Sequence, residues 1–165
     1  MANDDLKPLL IKHIQDAHAM EQNVLHMLTS MIVNTSDPEI KKGLEAHKEE
    51  TRGQAERLTA RLHAHGAKVS PVRETGAVLG ALQKGLLDAV RKEKPGKNAR
   101  DGFVTEHLEI AAYELLERLA VRAGDEETAK VARQNRAEEE EMARLIADNW
   151  DRFLDLTLEE EGLTA

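Results

Sequence analysis

Apolar positions recur every three or four residues along most of this chain, which is the spacing of one face of an α-helix. Stripes of this kind cover residues of about 4–33, 38–65, 98–123 and 125–158, and no strand-like alternation appears between them. The stripes are separated by residues typical of helix caps and helix ends, namely Ser36, Asp37, Pro38, Gly66, Gly124 and Asp125. The pattern predicts an all-α protein with four long helices.

The connections between the stripes differ in length. Short turns join helix 1 to helix 2 and helix 3 to helix 4, whereas about residues 66–97 join helix 2 to helix 3 and contain a short extra helix of their own. Short connections make antiparallel neighbours, and one long crossover is the ferritin-like arrangement. We therefore predict one domain over residues 1–165, a ferritin-like antiparallel four-helix bundle. Helix 3 is apolar on more than one side and is predicted to be the most buried.

Composition narrows the class of protein. The chain has 165 residues, a formal net charge of −8, no cysteine, and no stretch apolar enough to span a membrane. An acidic chain lacks the basic surface that nucleic acid requires, and the first residues lack the pattern of a secretory signal. We expect a soluble cytoplasmic protein that binds neither nucleic acid nor membrane.

Glutamates with matching spacing suggest a site inside the bundle. Glu21 on helix 1 and Glu50 on helix 2 are 29 residues apart, as are Glu109 on helix 3 and Glu138 on helix 4. Glu21 and Glu138 fall within apolar stripes and are predicted to point inward, whereas Glu50 and Glu109 fall at the edges. The two hairpins thus follow one plan, with a carboxylate from each helix at mid-bundle height.

Buried carboxylates are costly unless they are paired or bind a cation. A pair of divalent metals would remove the repulsion between them, and carboxylate with imidazole suits iron or manganese, with zinc as an option. Glu21, Glu50, Glu109 and Glu138 are the predicted core ligands, and Glu106, Glu141 and His47 are candidates for the remaining positions. No motif for an organic cofactor is visible, so any catalysis would be redox chemistry at the metal pair.

Two other functions fit the same residues. In the second reading they form a metal-free polar layer that fixes helix register, and the protein is a dimeric bundle with a structural or protein-interaction role. A multimeric storage shell is the third reading, and the molecular mass in solution would separate a shell from a dimer. Metal content separates the first reading from the second.

Several segments also resemble a known family. The HxxET-x-x-Q segment (His47, Glu50, Thr51, Gln54) and the EHxEIAAY segment (Glu106, His107, Glu109, Tyr113) are similar to the YciE/YciF family of bacterial ferritin-like stress proteins, over about residues 10–148. The resemblance implies a ferritin-like homodimer with a metal site and a role in stress. The chain departs from the usual di-metal pattern because His47 precedes Glu50 by three residues instead of following it.

Overall fold

The computed structural model describes residues 4–69 and 95–163, and every regular element in those ranges is helical. A 3₁₀ turn at Asp4–Leu6 leads into α1 (Lys7–Asn34), followed by α2 (Pro38–Ala64), α3 (Pro95–Ala123), α4 (Glu126–Ala147) and α5 (Trp150–Glu160). The predicted all-α bundle is confirmed. The short helix predicted in the crossover lies outside the described residues. In the described ranges no helix combines the length and apolarity needed to cross a membrane.

The two tight turns form for the reasons that the sequence indicated. Asp37 caps α2, its Oδ1 accepting hydrogen bonds from the backbone N–H groups of Glu39 at 3.0 Å and Ile40 at 2.9 Å. Gly124 ends the turn after α3 with a φ of 75°, a conformation that costs glycine little. Asp125 then caps α4 by accepting from Thr128 N–H at 3.0 Å.

Contacts between hairpins define the direction of the helices. Arg57 Nε on α2 donates to Asn135 Oδ1 on α4 at 2.8 Å, and one turn later Arg61 Nε donates to Thr128 Oγ1 at 2.9 Å. Residue numbers rise from 57 to 61 along α2, while the numbers of their partners fall from 135 to 128 along α4. These two helices are therefore antiparallel. The hairpin turns make α1 antiparallel to α2 and α3 to α4, so α2 and α3 run parallel. The end of α2 and the start of α3 therefore lie at opposite ends of the bundle, as ferritin-like topology requires.

The apolar core is divided into two clusters. The larger one, near the end of α2 and the α3–α4 turn, includes Leu10, Ile14, Leu58, Leu62, Leu116, Ala120, Ala129 and Ala132. The smaller one lies towards the α1–α2 turn and includes Val24, Leu28 and Leu44. The residues between these clusters along every long helix are buried but polar. This mid-bundle polar band contains the candidate site.

The predicted fourth helix is two helices in the structure. The helix stops after Ala147, and α5 starts at Trp150. Asn149 Nδ2 donates to the carbonyl oxygen of Leu145 at 2.7 Å, a side-chain bond to the backbone of the kind that competes with helix continuation. Trp150 then packs edge-on against Phe103 with ring centroids 5.6 Å apart, which holds α5 against α3.

One face of α3 is more exposed than expected. Val104 is 45% exposed and Leu115 54% exposed, and both lie with His107 and Ala111 on one exposed face at spacings of three and four. We refer to these four residues as the α3 outer strip. The apolar character of helix 3 therefore reflects two faces, one of which packs against the other described helices while the other is exposed.

Candidate metal centre

Five titratable side chains from all four long helices meet in the polar band. Glu21 comes from α1, His47 from α2, Glu106 and Glu109 from α3, and Glu139 from α4, and none is more than 2% exposed. Charged residues are almost never fully buried unless they are paired. A set of four buried carboxylates and one imidazole therefore requires a specific explanation.

The five side chains form two overlapping groups of three. His47, Glu106 and Glu139 each place a ligand atom within 4.8 Å of the other two, and so do Glu21, Glu109 and Glu139. Glu139 belongs to both groups. An arrangement of two three-residue sets around a common carboxylate has the form of a carboxylate-bridged pair of metal positions.

Most of the ligand atoms in this cluster have no hydrogen-bond donor or acceptor. The unpartnered buried atoms there are Glu21 Oε2, His47 Nε2, Glu106 Oε2, and both carboxylate oxygens of Glu109 and Glu139. Leaving a buried polar atom unsatisfied costs about 1–3 kcal/mol, and more for a charged group. These residues fit a divalent cation well, because a cation would satisfy the oxygens and the imidazole nitrogen together.

Burial strongly favours the protonated carboxyls in the absence of a cation. Burial raises the pKa of Glu21 to about 8, although the hydrogen bond from Tyr113 and the nearby His47 oppose the rise. Burial, with the neighbouring Glu106 and Glu21, raises the pKa of Glu139 to about 10. Burial also raises the pKa of Glu109 well above its ordinary value. Shifts of this kind are characteristic of functional sites.

His47 lies between acidic groups on both sides of its ring. Its Nδ1 is 3.5 Å from Glu50 Oε2, while its Nε2 is 3.3 Å from Glu106 Oε1 and 3.9 Å from Glu139 Oε2. Burial lowers the pKa of His47, but Glu106, Glu50 and Glu139 outweigh it and raise that pKa to about 10. Contact with His47 in turn lowers the pKa of Glu50. With a metal at Nε2, Glu50 would keep the proton on Nδ1, as carboxylate partners of metal-binding histidines do.

A chain of hydrogen bonds connects the cluster to the surface of the α2–α4 pair. Tyr113 Oη donates to Glu21 Oε1, and Asn135 Nδ2 donates to Tyr113 Oη at 2.9 Å. Asn135 Oδ1 accepts from Arg57 Nε, and Arg57 also forms an ion pair with Glu138. These hydrogen bonds fix the orientation of Glu21 through its Oε1 atom, and its Oε2 atom stays without a hydrogen bond.

The predicted site residues lie in three places: inside the cluster, next to it, and outside it. Glu21, His47, Glu106 and Glu109 lie together in the cluster, and Glu109 is fully buried although its position indicated an edge. Glu50 is 54% exposed and reaches the cluster through His47.

Two predicted ligands on α4 lie outside the cluster. The structure places Glu138 in an ion pair with Arg57 and a hydrogen bond of 3.1 Å from Gln54, and it places Glu141 on the exposed surface. Consecutive helix residues are turned by about 100°, so Glu139 enters the cluster where Glu138 does not. The α4 carboxylate of the site is therefore one residue beyond the predicted one.

The sequence carries a signal for Glu139. The buried stripe of α4 comprises Thr128, Ala129, Ala132, Asn135, Glu139, Ala143 and Ile146, and three of these seven residues are alanines. The predicted stripe followed the larger side chains Val131, Met142 and Leu145 instead, of which Leu145 is 52% exposed. Small residues mark the buried face of α4 better than large residues do.

Replacing Tyr113 by phenylalanine is expected to lower the free energy of unfolding of the metal-free protein by about 1–3 kcal/mol. The phenol is fully buried and is the hydrogen-bond donor to Glu21 Oε1, so its loss leaves another buried carboxylate oxygen without a partner. Urea denaturation with chelator present measures the effect. A free energy of unfolding that Tyr113→Phe leaves unchanged would contradict the assigned role.

The fold and the buried cluster define a class: a ferritin-like helical bundle with an acidic band at its centre. The chain matches the domain of unknown function DUF892 over residues 5–159, and it therefore belongs to this family, which confirms the YciE/YciF-type resemblance. It is 24% identical to the protein YciF of Escherichia coli (strain K12) over 142 residues, 81% of this chain and 83% of YciF.

Solved structures agree with this assignment. A crystal structure of a protein (XCC3681) from Xanthomonas campestris pv. campestris is 28% identical, with a TM-score of 0.82 over 96% of this chain and 99% of that one. The Escherichia coli stress protein YciF superposes with a TM-score of 0.80 at 21% identity, over 92% of this chain and 98% of that one. A Desulfovibrio desulfuricans bacterioferritin with a diiron site superposes with a TM-score of 0.78 at 17% identity, covering 99% and 92%, which shows the shared fold alone.

Proposed function

We propose that this protein binds a carboxylate-bridged pair of iron or manganese ions inside its bundle and acts on reactive oxygen or metal during stress. The observation that carries the proposal is the pair of three-residue groups sharing Glu139, whose ligand atoms lie within 4.8 Å of one another and largely lack hydrogen bonds. The proposed ligands are Glu21, His47, Glu106, Glu109 and Glu139. Glu50 takes the role of a hydrogen-bond acceptor for the His47 ring.

The donor set favours iron or manganese over softer metals. Four carboxylates and one imidazole are hard or intermediate ligands, and the site has no thiolate because the chain has no cysteine. When bound, such ions would supply one-electron redox chemistry towards oxygen or peroxide. The protein's own residues would hold the ions in the buried band, with Glu21 oriented by Tyr113 and the tautomer of His47 fixed by Glu50.

The relatives support a role in stress. YciF of Escherichia coli, which shares this fold, is a stress protein, and the bacterioferritin with the same fold has a diiron site. Transferred to this chain, these properties agree with a buried acidic centre suited to redox-active metals. The cytoplasmic location stays a prediction of the sequence.

Metal content is the test. The protein would be expressed with iron and manganese supplied, purified without a chelator or histidine tag, and analysed by plasma mass spectrometry. We expect about two ions per chain, as in other two-metal sites. Less than half an ion per chain, together with a melting temperature that added Mn²⁺ leaves unchanged, would reject the metal centre and favour the metal-free structural bundle.

The α3 outer strip supports a homodimer. It exposes Val104 and Leu115 beside Ala111 on one face, and contiguous exposed apolar residues commonly mark protein interfaces. Leu115→Glu is expected to convert a dimer to a monomer, because a charge at the centre of an apolar interface is costly. Light scattering after size exclusion measures the mass. Leu9→Glu, at an exposed leucine on α1, is the control, and a dimer that survives Leu115→Glu would place the interface elsewhere.

A further inference from the structure

A cavity of about 540 Å³ opens beside the candidate metal centre. It lies towards the α1–α2 turn, where α1, α2 and the start of α3 approach α4 and α5. Its apolar walls include Met27, Leu28, Met31, Ile40, Leu44 and Met142. A volume of this size is within the usual range for small-molecule sites, which are mostly apolar with a few polar groups at defined positions.

The inner end of the cavity is formed by residues of the metal cluster. His47 and Glu106 both line it, and each is only 2% exposed. Glu106 Oε2 has no hydrogen-bond partner, and the contact of His47 Nε2 with Glu106 Oε1 is a 3.3 Å ion pair. The cavity therefore presents an apolar passage that ends on polar atoms of the group formed by His47, Glu106 and Glu139.

A glycine keeps part of the wall open. Gly43 lines the cavity from α2, and a Cβ placed there meets no heavy atom within 4 Å. Glycine in the middle of a helix makes the helix less stable than alanine would. An alanine at position 43 would stabilise α2, but its side chain would occupy part of the cavity.

The cavity is lined by the carboxylates of Asp37, Glu39, Glu159 and Glu160, and its lining arginine, Arg152, is already paired. Arg152 Nη2 on α5 lies 3.0 Å from Asp37 Oδ2 and 3.9 Å from Glu39 Oε2. An anionic ligand would have to compete with these carboxylates for Arg152 and would then approach the acidic cluster. A cationic ligand would have to bury its charge between aliphatic side chains, which is costly. The lining therefore favours an uncharged molecule.

We propose that this cavity binds an uncharged, largely apolar small organic molecule and holds it against the His47–Glu106 edge of the cluster. Such a ligand would lie beside any metal held by His47 and Glu106, so its link to the chemistry of the centre rests on the proposed function. Binding itself needs no metal, because the walls and the open space at Gly43 belong to the protein alone.

The test is a titration of metal-free, full-length protein with N-phenyl-1-naphthylamine, a neutral apolar dye that fluoresces when shielded from water. We expect saturable binding of about one dye per chain. Gly43→Leu fills the cavity and is expected to raise Kd about tenfold or more. Ala46→Leu, on the exposed face of the same helix, is the matched control and should leave Kd unchanged.

Circular dichroism establishes that both variants are folded. If Gly43→Leu fails to fold, Met31→Trp, which enlarges a partly exposed wall residue, takes its place with the same expected loss. Long-range ¹H–¹⁵N spectra of the imidazoles report contact at the inner end, where the His47 resonances should shift on dye binding and those of exposed His63 should not.

Absence of saturable binding would overturn the proposal, and so would equal Kd values for Gly43→Leu and Ala46→Leu, which would place the dye on an outer surface such as the α3 outer strip. Unmoved His47 resonances would separate the cavity from the cluster and reject the contact. Failure of the metal-content test with retained dye binding would reject the metal centre while leaving the cavity site, so the two failures are distinguishable.

Discussion

Glu139→Ala is expected to remove most of the bound metal, whereas Glu138→Ala is expected to leave the metal content close to that of the unaltered protein. Glu139 belongs to both three-residue groups of the cluster, so its loss removes a ligand from both positions at once. Glu138 is next to it in the chain but is paired with Arg57 on the outside of the cluster. Neighbouring glutamates of the same helix therefore serve as variant and control.

Metal analysis of both purified variants provides the measurement, with a fall from about two ions per chain to well below one for Glu139→Ala. Circular dichroism establishes that the variant is folded, so that lost metal is not lost structure. Similar metal content in both variants would show that Glu139 is not a ligand. If only Glu138→Ala lost its metal, Glu138 rather than Glu139 would be the α4 ligand, as the 29-residue spacing suggested.

The stability of the metal-free protein is expected to fall as the pH rises from about 5 to about 9, by an amount on the order of a few kcal/mol. The pKa of Glu21 is raised to about 8 and that of Glu139 to about 10, so the folded state holds protons that the unfolded chain has released above about pH 4.5. The raised pKa of His47, about 10 against an ordinary 6.5, acts in the same direction. The stabilisation is thus present at mildly acidic pH and is lost towards alkaline pH.

Added Mn²⁺ is expected to reduce this pH dependence, because the ions replace the protons and metal binding releases protons. Urea unfolding at several pH values, with chelator or with Mn²⁺, measures both slopes. Asp125, whose burial is outweighed by hydrogen bonds from Thr128, His65 and Arg61 that lower its pKa to about 2, acts below this window. Metal-free stability that rises between about pH 5 and about pH 9 would contradict the buried-acid description of the cluster.

A glutamine variant tests how much one residue contributes to the change of metal-free stability with pH. Metal-free Glu109→Gln is expected to be more stable than the unaltered protein at about pH 9, because an amide of similar shape cannot ionise. Glu109 is fully buried and has no hydrogen bond on either oxygen. Glu138→Gln, at a partly exposed carboxylate paired with Arg57, should keep the original slope.

Much of the fold could be predicted because the relevant signals are local. Helical periodicity, the Asp37 cap and the glycine at position 124 depend on neighbours a few residues away, and each has the predicted role in the structure. The division between α4 and α5 could not be predicted from periodicity, since apolar spacing continues through it. It depends on the bond from Asn149 to Leu145 and on the contact of Trp150 with Phe103 across to α3.

The site was predictable to within one residue on α4. Glu21, His47 and Glu106 follow from apolar stripes that fix their faces, but the run of glutamates from 138 to 141 fits several faces equally well. The choice among them depends on which face of α4 is buried, and that face carries Ala132 and Ala143 rather than large side chains. Burial of a face is decided by packing between helices, and a stripe of large residues does not report it.

The shared carboxylate has a consequence for how the centre fills. Glu21, Glu106, Glu109 and Glu139 together carry four negative charges when ionised, and two divalent ions carry four positive ones, with His47 neutral. With two ions the cluster would be neutral with all four carboxylates ionised, whereas with one ion it would be neutral when two carboxyls keep their protons, which their raised pKa values favour. The second ion should consequently displace about two protons on entry, so half-filled molecules should be more common at acidic than at alkaline pH.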